Sequence, residues 1–370
     1  MISDIRSIAA IARENSIPAE DVFLIDLNLS GVAIEDEYSR TRFALRMATV
    51  EAFQLASKLN ILDYYLALPV QKSSSYKIKR EELILDDTVL GHALGVTEDF
   101  CDQNYPRRNG TVLNLNPNCR TSCRGCQFCY TNYQTPRDRK KILNRNDLKA
   151  FFNDHIDVSG HSDLSHLIQI AVVTGCFDGE ADVVKFVRLL REVSCEFGFK
   201  GEIFYLGSQV STHMALSALA DAGPVAICFS LECFANRESL LRDKKRNLRL
   251  ESVPKLLDHA ASLGVKCNFS YVLGLDPLDV LSSNFRNLSK HIGAFPIINL
   301  LQLHSHHRET LRVAEANELS YYLKARKSIE EIFLGTEHRP RTWENYRGLW
   351  YMSFANEPLN GIRTPHEVRV

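Results

Sequence analysis

The chain contains no apolar run long enough to span a bilayer, and its first residues, Met1-Ile2-Ser3-Asp4-Ile5-Arg6, carry no secretory pattern. It also lacks an excess of either charge: 44 Lys and Arg stand against 45 Asp and Glu, for a net charge of -1. General electrostatic attraction to nucleic acid is therefore not expected, which leaves room only for a local patch. After Cys129 no further C-x2-C or H-x3-H pair follows, so the two-half arrangement of a structural zinc site is missing. What remains is the expectation of a cytoplasmic enzyme. Its 370 residues and 45% hydrophobic content suffice for a sizeable core, as one large domain with appendages. Ten cysteines without a secretory signal predict a reducing compartment, not a disulfide framework.

Four of those cysteines fall within eleven residues, Cys119-Arg120-Thr121-Ser122-Cys123-Arg124-Gly125-Cys126-Gln127-Phe128-Cys129. Thiolates are soft donors that suit iron–sulfur clusters or zinc, and cysteines this close along the chain do not easily bridge to one another. The C-x3-C-x2-C set of Cys119, Cys123 and Cys126 leaves one iron of a four-iron cluster without a protein ligand. An open metal position points to chemistry, not to a structural role. The alternative is a zinc- or cluster-containing binding protein that meets RNA through Arg120, Arg124 and the stretch from Arg137 to Lys141.

Around the cysteines, apolar strand candidates alternate with helical patterns. Val112–Asn116 comes first; Leu167–Thr174 leads to a helix near Ala181–Phe197, and Glu202–Leu206 to one near Val210–Ala222. Val225–Leu231 precedes Leu250–Leu263, Val265–Leu273 precedes Pro277–Ile292, and Pro296–Leu303 precedes Glu309–Phe333. Such alternation predicts an α/β fold with a parallel sheet and right-handed crossovers, a partial or full TIM-type barrel of the (β/α)6 kind. Chemistry in these barrels sits at the C-terminal ends of strands, where the cysteine loop falls. The barrel is expected over residues 101–335, with a mainly helical extension over 1–100 and a capping segment over 336–370. In the extension, Ile8–Ala12, Phe43–Leu59 and Ile61–Leu68 read as apolar helical stretches, followed by a polar link at Gln71–Lys77 and a hairpin-like Leu83–Thr88.

The cysteine motif in this setting resembles the radical S-adenosylmethionine superfamily, over roughly residues 110–305. The resemblance implies a [4Fe–4S] cluster on three cysteines, with S-adenosylmethionine chelating the open iron through its amino and carboxylate groups. It implies a reductant such as flavodoxin or ferredoxin. Reductive cleavage would give methionine and a 5′-deoxyadenosyl radical that takes hydrogen from a small polar metabolite. The family's Gly-Gly-Glu type turn corresponds to Val173-Thr174-Gly175-Cys176-Phe177-Asp178-Gly179-Glu180. There Thr174 and Gly175 would offer carbonyls to the methionine ammonium, with Asp178 or Glu180 as carboxylate; an acid at that place also suits a helix cap. Ser208, in Gly207-Ser208-Gln209, is either a cap or a cofactor contact. Ser230 and Glu232 share one face of the fourth strand and would meet the ribose and methionine parts. Among Arg237, Arg242, Lys244, Lys245 and Arg246, one cation, taken as Arg242, would pair with the methionine carboxylate, the rest being solvated surface. Gly274 would let adenine approach the backbone. Strand alternation puts Gln302 and His304 on the face of Leu300, toward the barrel interior or its mouth; Gln302 is taken as a cofactor contact, and His304 either contacts substrate or cofactor or is a structural histidine.

One departure from the family's pattern leaves two ligand sets open. Many members carry an aromatic residue immediately before the third cysteine, where this chain has Gly125; the aromatic precedes the fourth, in Phe128-Cys129. Either Cys119, Cys123 and Cys126 are the ligands, with an ending similar to that of lysine aminomutases, or Cys129 is the last ligand. No cysteine follows Cys267, which argues against auxiliary clusters in the C-terminal segment, and the first hundred residues show no Asp-x-His-x-x-Gly for cobalamin. Cys176, Cys228, Cys233 and Cys267 lie at or near strands, which keeps a sulfur-inserting enzyme with a second cluster as an alternative. In the tail, Trp343-Glu344-Asn345-Tyr346-Arg347-Gly348-Leu349-Trp350-Tyr351 either closes over substrate, with Glu344 or Arg347 orienting it, or packs as an aromatic strip.

Overall fold

The structure, a computed structural model, describes residues 2–55, 64–100, 103–108, 110–118, 125–133, 141–173, 177–304, 307, 309–341 and 347–359. The chain divides into two compact units. One joins Met1–Phe100 with Val272–Ser289 and Ile297–Val370; the other joins Cys101–Tyr271 with Lys290–Pro296.

The first unit opens with α1 (Ile5–Asn15), whose N-cap Asp4 accepts the Ser7 N–H at 2.8 Å, and α2 (Ala19–Ser30). Five antiparallel strands follow: β1 (Arg40–Met47), β2 (Tyr64–Pro69), β3 (Tyr76–Lys79), β4 (Glu82–Leu85) and β5 (Thr88–Glu98), in the order β2-β1-β5-β4-β3. The helices expected over Phe43–Leu59 and Ile61–Leu68 are therefore corrected: their described parts hold β1 and β2. Residues 56–63 lie outside the described residues. The reason is the period of two in Arg40-Thr41-Arg42-Phe43-Ala44-Leu45. One side takes Thr41, Phe43 and Leu45; the other takes Arg40 and Arg42, which clasp buried Asp99, each at 2.6 Å. A reading that begins at Phe43 leaves out Arg40 and Arg42, the residues that complete the alternation. The hairpin read at Leu83–Thr88 is present, with Asp86 and Asp87 at φ 44° and 60°, the left-handed pair that a two-residue hairpin turn requires.

The C-terminal segment is held by one carboxylate. Asp21 of α2 accepts the N–H groups of Tyr351 at 2.7 Å, Met352 at 2.9 Å and Ser353 at 3.3 Å, and pairs with Arg326 at 2.9 Å. Arg326 donates onward to the carbonyls of Leu349 at 2.9 Å and Ser353 at 2.7 Å. Trp350 is buried and its indole N–H meets Glu330 at 2.9 Å, so this part of the aromatic strip packs inward.

A seven-stranded sheet carries the second architecture. β6 (Tyr105–Arg107) pairs antiparallel with β7 (Val112–Leu115), and parallel strands follow. In chain order come α3 (Arg145–Ser159), β8 (Gln169–Val172), α4 (Glu180–Glu196), β9 (Glu202–Gly207), α5 (His213–Ala220) and β10 (Val225–Glu232). Next are α6 (Val253–Ser262), β11 (Lys266–Leu273), α7 (Leu278–Leu288), β12 (Ile297–Leu300) and α8 (Leu319–Phe333). The sheet order β12-β11-β10-β9-β8-β7-β6 follows the sequence without reversal, the winding of a partial TIM-type barrel in a mixed α/β fold. Register separates its two faces. Leu113, Ile170, Ile203 and Ile227 share one face, and Phe186 of α4 reaches Tyr205 on that face through Phe177. Asn114, Ala171, Phe204, Cys228, Ser230, Asn268 and Ser270 share the other.

Buried Asp26 of α2 accepts the Tyr76 hydroxyl at 2.9 Å, and burial raises its carboxyl to about 6 against the opposing pull of that hydrogen bond. A carboxyl raised on folding stabilises the fold below its unfolded value and loses that contribution as pH climbs through about 6. Asp26→Asn is therefore expected to be more stable than the parent at pH 8 by about 2–3 kcal/mol, with the gap closing below pH ~4. Urea unfolding at both pH values checks this; a less stable variant at pH 8 contradicts it.

Candidate functional site at the cysteine loop

Cys119 and Cys123 lie outside the described residues; the second half of the loop is described. The Cys129 N–H donates to the Cys126 carbonyl at 3.1 Å, and the Asn132 side chain accepts the Gly125 N–H at 2.8 Å, which together wind Gly125–Asn132 into a tight turn. Gly125 has φ 110°, and a Cβ there would stand 3.0 Å from the Arg242 Cβ. An aromatic side chain at this position would meet both the backbone strain and that neighbour, a physical reason for the departure noted in the sequence. The Gln127 N–H donates to the Leu240 carbonyl at 2.9 Å, so the turn is bonded to the segment after β10.

That segment is shaped by an irregularity. Pairing between β10 and β11 shifts between Ser230 and Glu232, and Glu232 takes φ 67°. The extra residue re-aims the strand end, as bulges commonly do beside functional sites. Glu232 forms an ion pair with Lys245, their side chains 12% and 13% exposed. Arg237 holds the geometry, donating to the carbonyls of Leu231 at 2.6 Å, Cys233 at 2.7 Å and Leu248 at 2.9 Å. Burial pushes the Cys126 thiol up to about 11; the nearby Lys245 ammonium opposes this, while Cys129 and Glu232 add to it. Cys126, Glu232 and Lys245 thus share one poorly hydrated environment. Only a thiolate ligates a metal, so burial alone works against that role at Cys126; the Lys245 ammonium close by favours the ionised sulfur, and a soft thiolate suits a metal or cluster. Among the described residues no three His, Cys, Asp or Glu side chains converge on one ion.

The other predicted residues are distributed as follows. Thr174 and Gly175 lie outside the described residues, as does Glu344. Asp178 pairs with Lys244, which holds its carboxyl below the usual range. Glu180 opens α4 and accepts from the Ser211 N–H at 3.2 Å and the Thr212 hydroxyl at 3.0 Å, tying β9's loop to α4; neither acid caps α4 itself. Ser208 is buried and accepts from the Gln209 amide at 3.1 Å. Ser230 is buried, and among the described residues its hydroxyl has no hydrogen-bond partner. Arg242 packs its backbone and Cβ against Gly125.

In the first unit, Gly274 has φ 114°, and the place of its missing Cβ lies 3.1 Å from the Tyr322 hydroxyl and 3.2 Å from the Leu301 Cβ; internal packing already requires the glycine. The Gln302 amide donates to Asn28 at 2.9 Å and to the Ala67 carbonyl at 2.8 Å. The buried His304 donates its backbone N–H to His307 Nδ1 at 3.1 Å. The Arg347 carbonyl accepts the Leu300 N–H at 2.7 Å.

Of the strand cysteines, Cys228 and Cys267 do not face one common cluster. Cys267 pairs in register with Ile227, the neighbour of Cys228, so Cys228 and Cys267 point to opposite faces of the sheet. Cys176 lies outside the described residues. Conversely, reading the sequence placed Lys245 and Arg237 in a run of surface cations. Its only signal for their roles was the nearness of that run to the end of a strand.

No family model matches the chain, and no curated protein matches it by sequence. Among solved structures it is similar to Streptococcus suis SuiB bound to S-adenosylmethionine, with 12% identity and a TM-score of 0.43, over 63% of this chain and 49% of that one. A second SuiB structure gives 12% identity and 0.43 over 64% and 48%. SuiB bound to the precursor peptide SuiA gives 13% and 0.36 over 54% and 40%. The chain thus spans about half or less of the length of the SuiB chains it matches. Likeness of this degree transfers neither activity nor substrate.

Lys245→Met leaves the Glu232 carboxylate unpaired and is expected to lower stability by about 2–3 kcal/mol, most of which returns when Glu232→Gln is added. Chemical denaturation of the two single variants and the double variant checks this coupling; additive losses contradict it.

Proposed function

We propose that the chain is a radical S-adenosylmethionine enzyme. One observation carries the reading: the C-x3-C-x2-C loop follows the first parallel strand of a sheet wound in one direction, and its third cysteine is buried beside the bulged end of the fourth. Cys119, Cys123 and Cys126 hold a [4Fe–4S] cluster, with Cys129 as a neighbouring thiol. When bound, the cluster and S-adenosylmethionine supply a one-electron reductive cleavage and abstraction of hydrogen from an unactivated carbon. The chain's own residues bind and orient. Thr174 and Gly175 offer carbonyls to the methionine ammonium, with Asp178 or Glu180 beside them. Ser208 and Ser230 contact the cofactor, and Glu232 takes the ribose through the carboxylate oxygen not held by Lys245. Arg242 answers the methionine carboxylate.

The sheet over residues 101–335 is the catalytic (β/α)6 core, residues 1–100 and 336–370 supply specificity, and the substrate is a small polar metabolite. Electrons come from a flavodoxin or ferredoxin in the cytoplasm.

The chain purified without oxygen and reconstituted with iron and sulfide is expected to bind four of each and to absorb near 400 nm, roughly the region of iron–sulfur charge transfer. With dithionite it should release 5′-deoxyadenosine. Serine at Cys119, Cys123 or Cys126 should abolish iron binding, and serine at Cys129 should preserve it. Zinc without sulfide in the purified chain would overturn the reading in favour of a metal-knuckle protein.

A further inference from the structure

Arg40, Arg42 and Arg326, all buried in the first unit, each have a carboxylate against them: Asp99 for the first two, Asp21 for the third. Arg312 does not. It is largely withdrawn from water, which lowers its pKa, and among the described residues no acid faces it. Its Nη2 donates to the Leu301 carbonyl at 2.8 Å, and its Nε is buried with no acceptor among the described residues. Beside it stands a second unanswered donor. The Tyr322 hydroxyl is fully buried without a partner among the described residues, and burial raises the phenol to about 12, so it keeps its proton at neutral pH. The two groups meet where β11 and β12 end. The Gly274 carbonyl after β11 accepts the Val313 N–H at 3.0 Å, and the Tyr322 hydroxyl lies 3.1 Å from where a Gly274 Cβ would be.

A desolvated cation without a counter-charge destabilises a fold by several kcal/mol, and a buried hydroxyl without an acceptor adds to that. Both unanswered atoms are donors, so what completes them is an acceptor that carries negative charge. We propose that Arg312 and Tyr322 form a binding site for a carboxylate, the anionic handle of the chain's small-molecule ligand. One guanidinium matches the single charge and planar fork of a carboxylate; a phosphate, with more charge, calls for further cations. Arg312 remains partly exposed, which gives the anion a route in. The site lies at the C-terminal ends of parallel strands, where ligands of such sheets bind. It belongs to the other unit from the cysteine loop and needs neither iron nor S-adenosylmethionine, so its test is separate from that of the proposed chemistry.

The test is thermal unfolding of the full chain at fixed ionic strength, with sodium acetate replacing sodium chloride and sodium phosphate as a second arm. Acetate is expected to raise the melting temperature in a saturable way. Arg312→Gln should abolish the rise, and Tyr322→Phe should shift its midpoint to about tenfold higher acetate, the weight of one hydrogen bond to a charged group. In chloride alone, Arg312→Met should melt no lower than the parent, because it removes an uncompensated cation. No acetate-dependent rise in the parent, a rise that survives Arg312→Gln, or a larger rise in phosphate than in acetate would each overturn the assignment. If Arg312 variants fail to fold, Tyr322→Phe decides alone, since an unchanged midpoint rejects the site.

Discussion

Arg237 fastens the strand end on which the candidate site depends. A parallel strand that ran regularly to its end would leave Glu232 on the pleat, whereas here an extra residue and a left-handed Glu232 turn the chain aside. That conformation costs about 1–3 kcal/mol in a residue other than glycine. Against it stand three short hydrogen bonds from the Arg237 guanidinium to the carbonyls of Leu231, Cys233 and Leu248, each worth roughly 1.5–3 kcal/mol because the donor is charged. The bonds outweigh the strain, and their geometry does more than compensate. By gripping both the bulge and the turn that ends at Leu248, Arg237 fixes Lys245 opposite Glu232. It also fixes the stretch whose Leu240 carbonyl takes Gln127 and whose Arg242 lies on Gly125. The cysteine loop is positioned by the end of the fourth parallel strand as much as by its own turn.

The first unit uses the same device with the charges reversed. Asp21 collects three backbone N–H groups of Tyr351–Ser353 as well as Arg326, so a carboxylate there does for amides what Arg237 does for carbonyls. Both are cases of an ion fully engaged with backbone dipoles, the condition under which a withdrawn charge stabilises a fold. Against that rule Arg312 is conspicuous, since among the described residues its guanidinium meets one carbonyl and no acid. Sheet, helix and tail in this unit are each closed by a charge with a partner, whereas Arg312 falls at the ends of β11 and β12.

Much of this was legible in the sequence where the determinant is local. The six apolar runs from Val112 to Leu303 match β7 to β12 because strands buried on both faces are marked by their own composition. The extension was misread because β1 owes its buried Arg40 and Arg42 to Asp99, a partner remote in sequence. Gly125 looked like a missing aromatic until Arg242 supplied the reason. Among five nearby cations, no local rule could separate Lys245 from Lys244; the choice follows from which carbonyls Arg237 holds. Non-local pairing of charges is what a single sequence hides.

The two faces of the parallel sheet bear on what the fold is for. Its helix-side face is mainly branched or aromatic, as a core facing helices should be. The opposite face carries Ser230 and Ser270 side by side, Asn268 one pair below, and Asn114 on a more distant strand, and each keeps a buried oxygen without a partner among the described residues. A barrel interior filled for stability alone would hold branched apolar side chains in layers. Leaving such atoms unanswered costs about 1–3 kcal/mol apiece, so apolar replacements would be the more stable choice. Buried polar groups of this kind call for hydrogen-bond partners, and a face that carries them differs from one packed for stability alone. The β10 bulge at the edge of this face, with Cys126 beside it, sets the cysteine loop next to the polar strand ends.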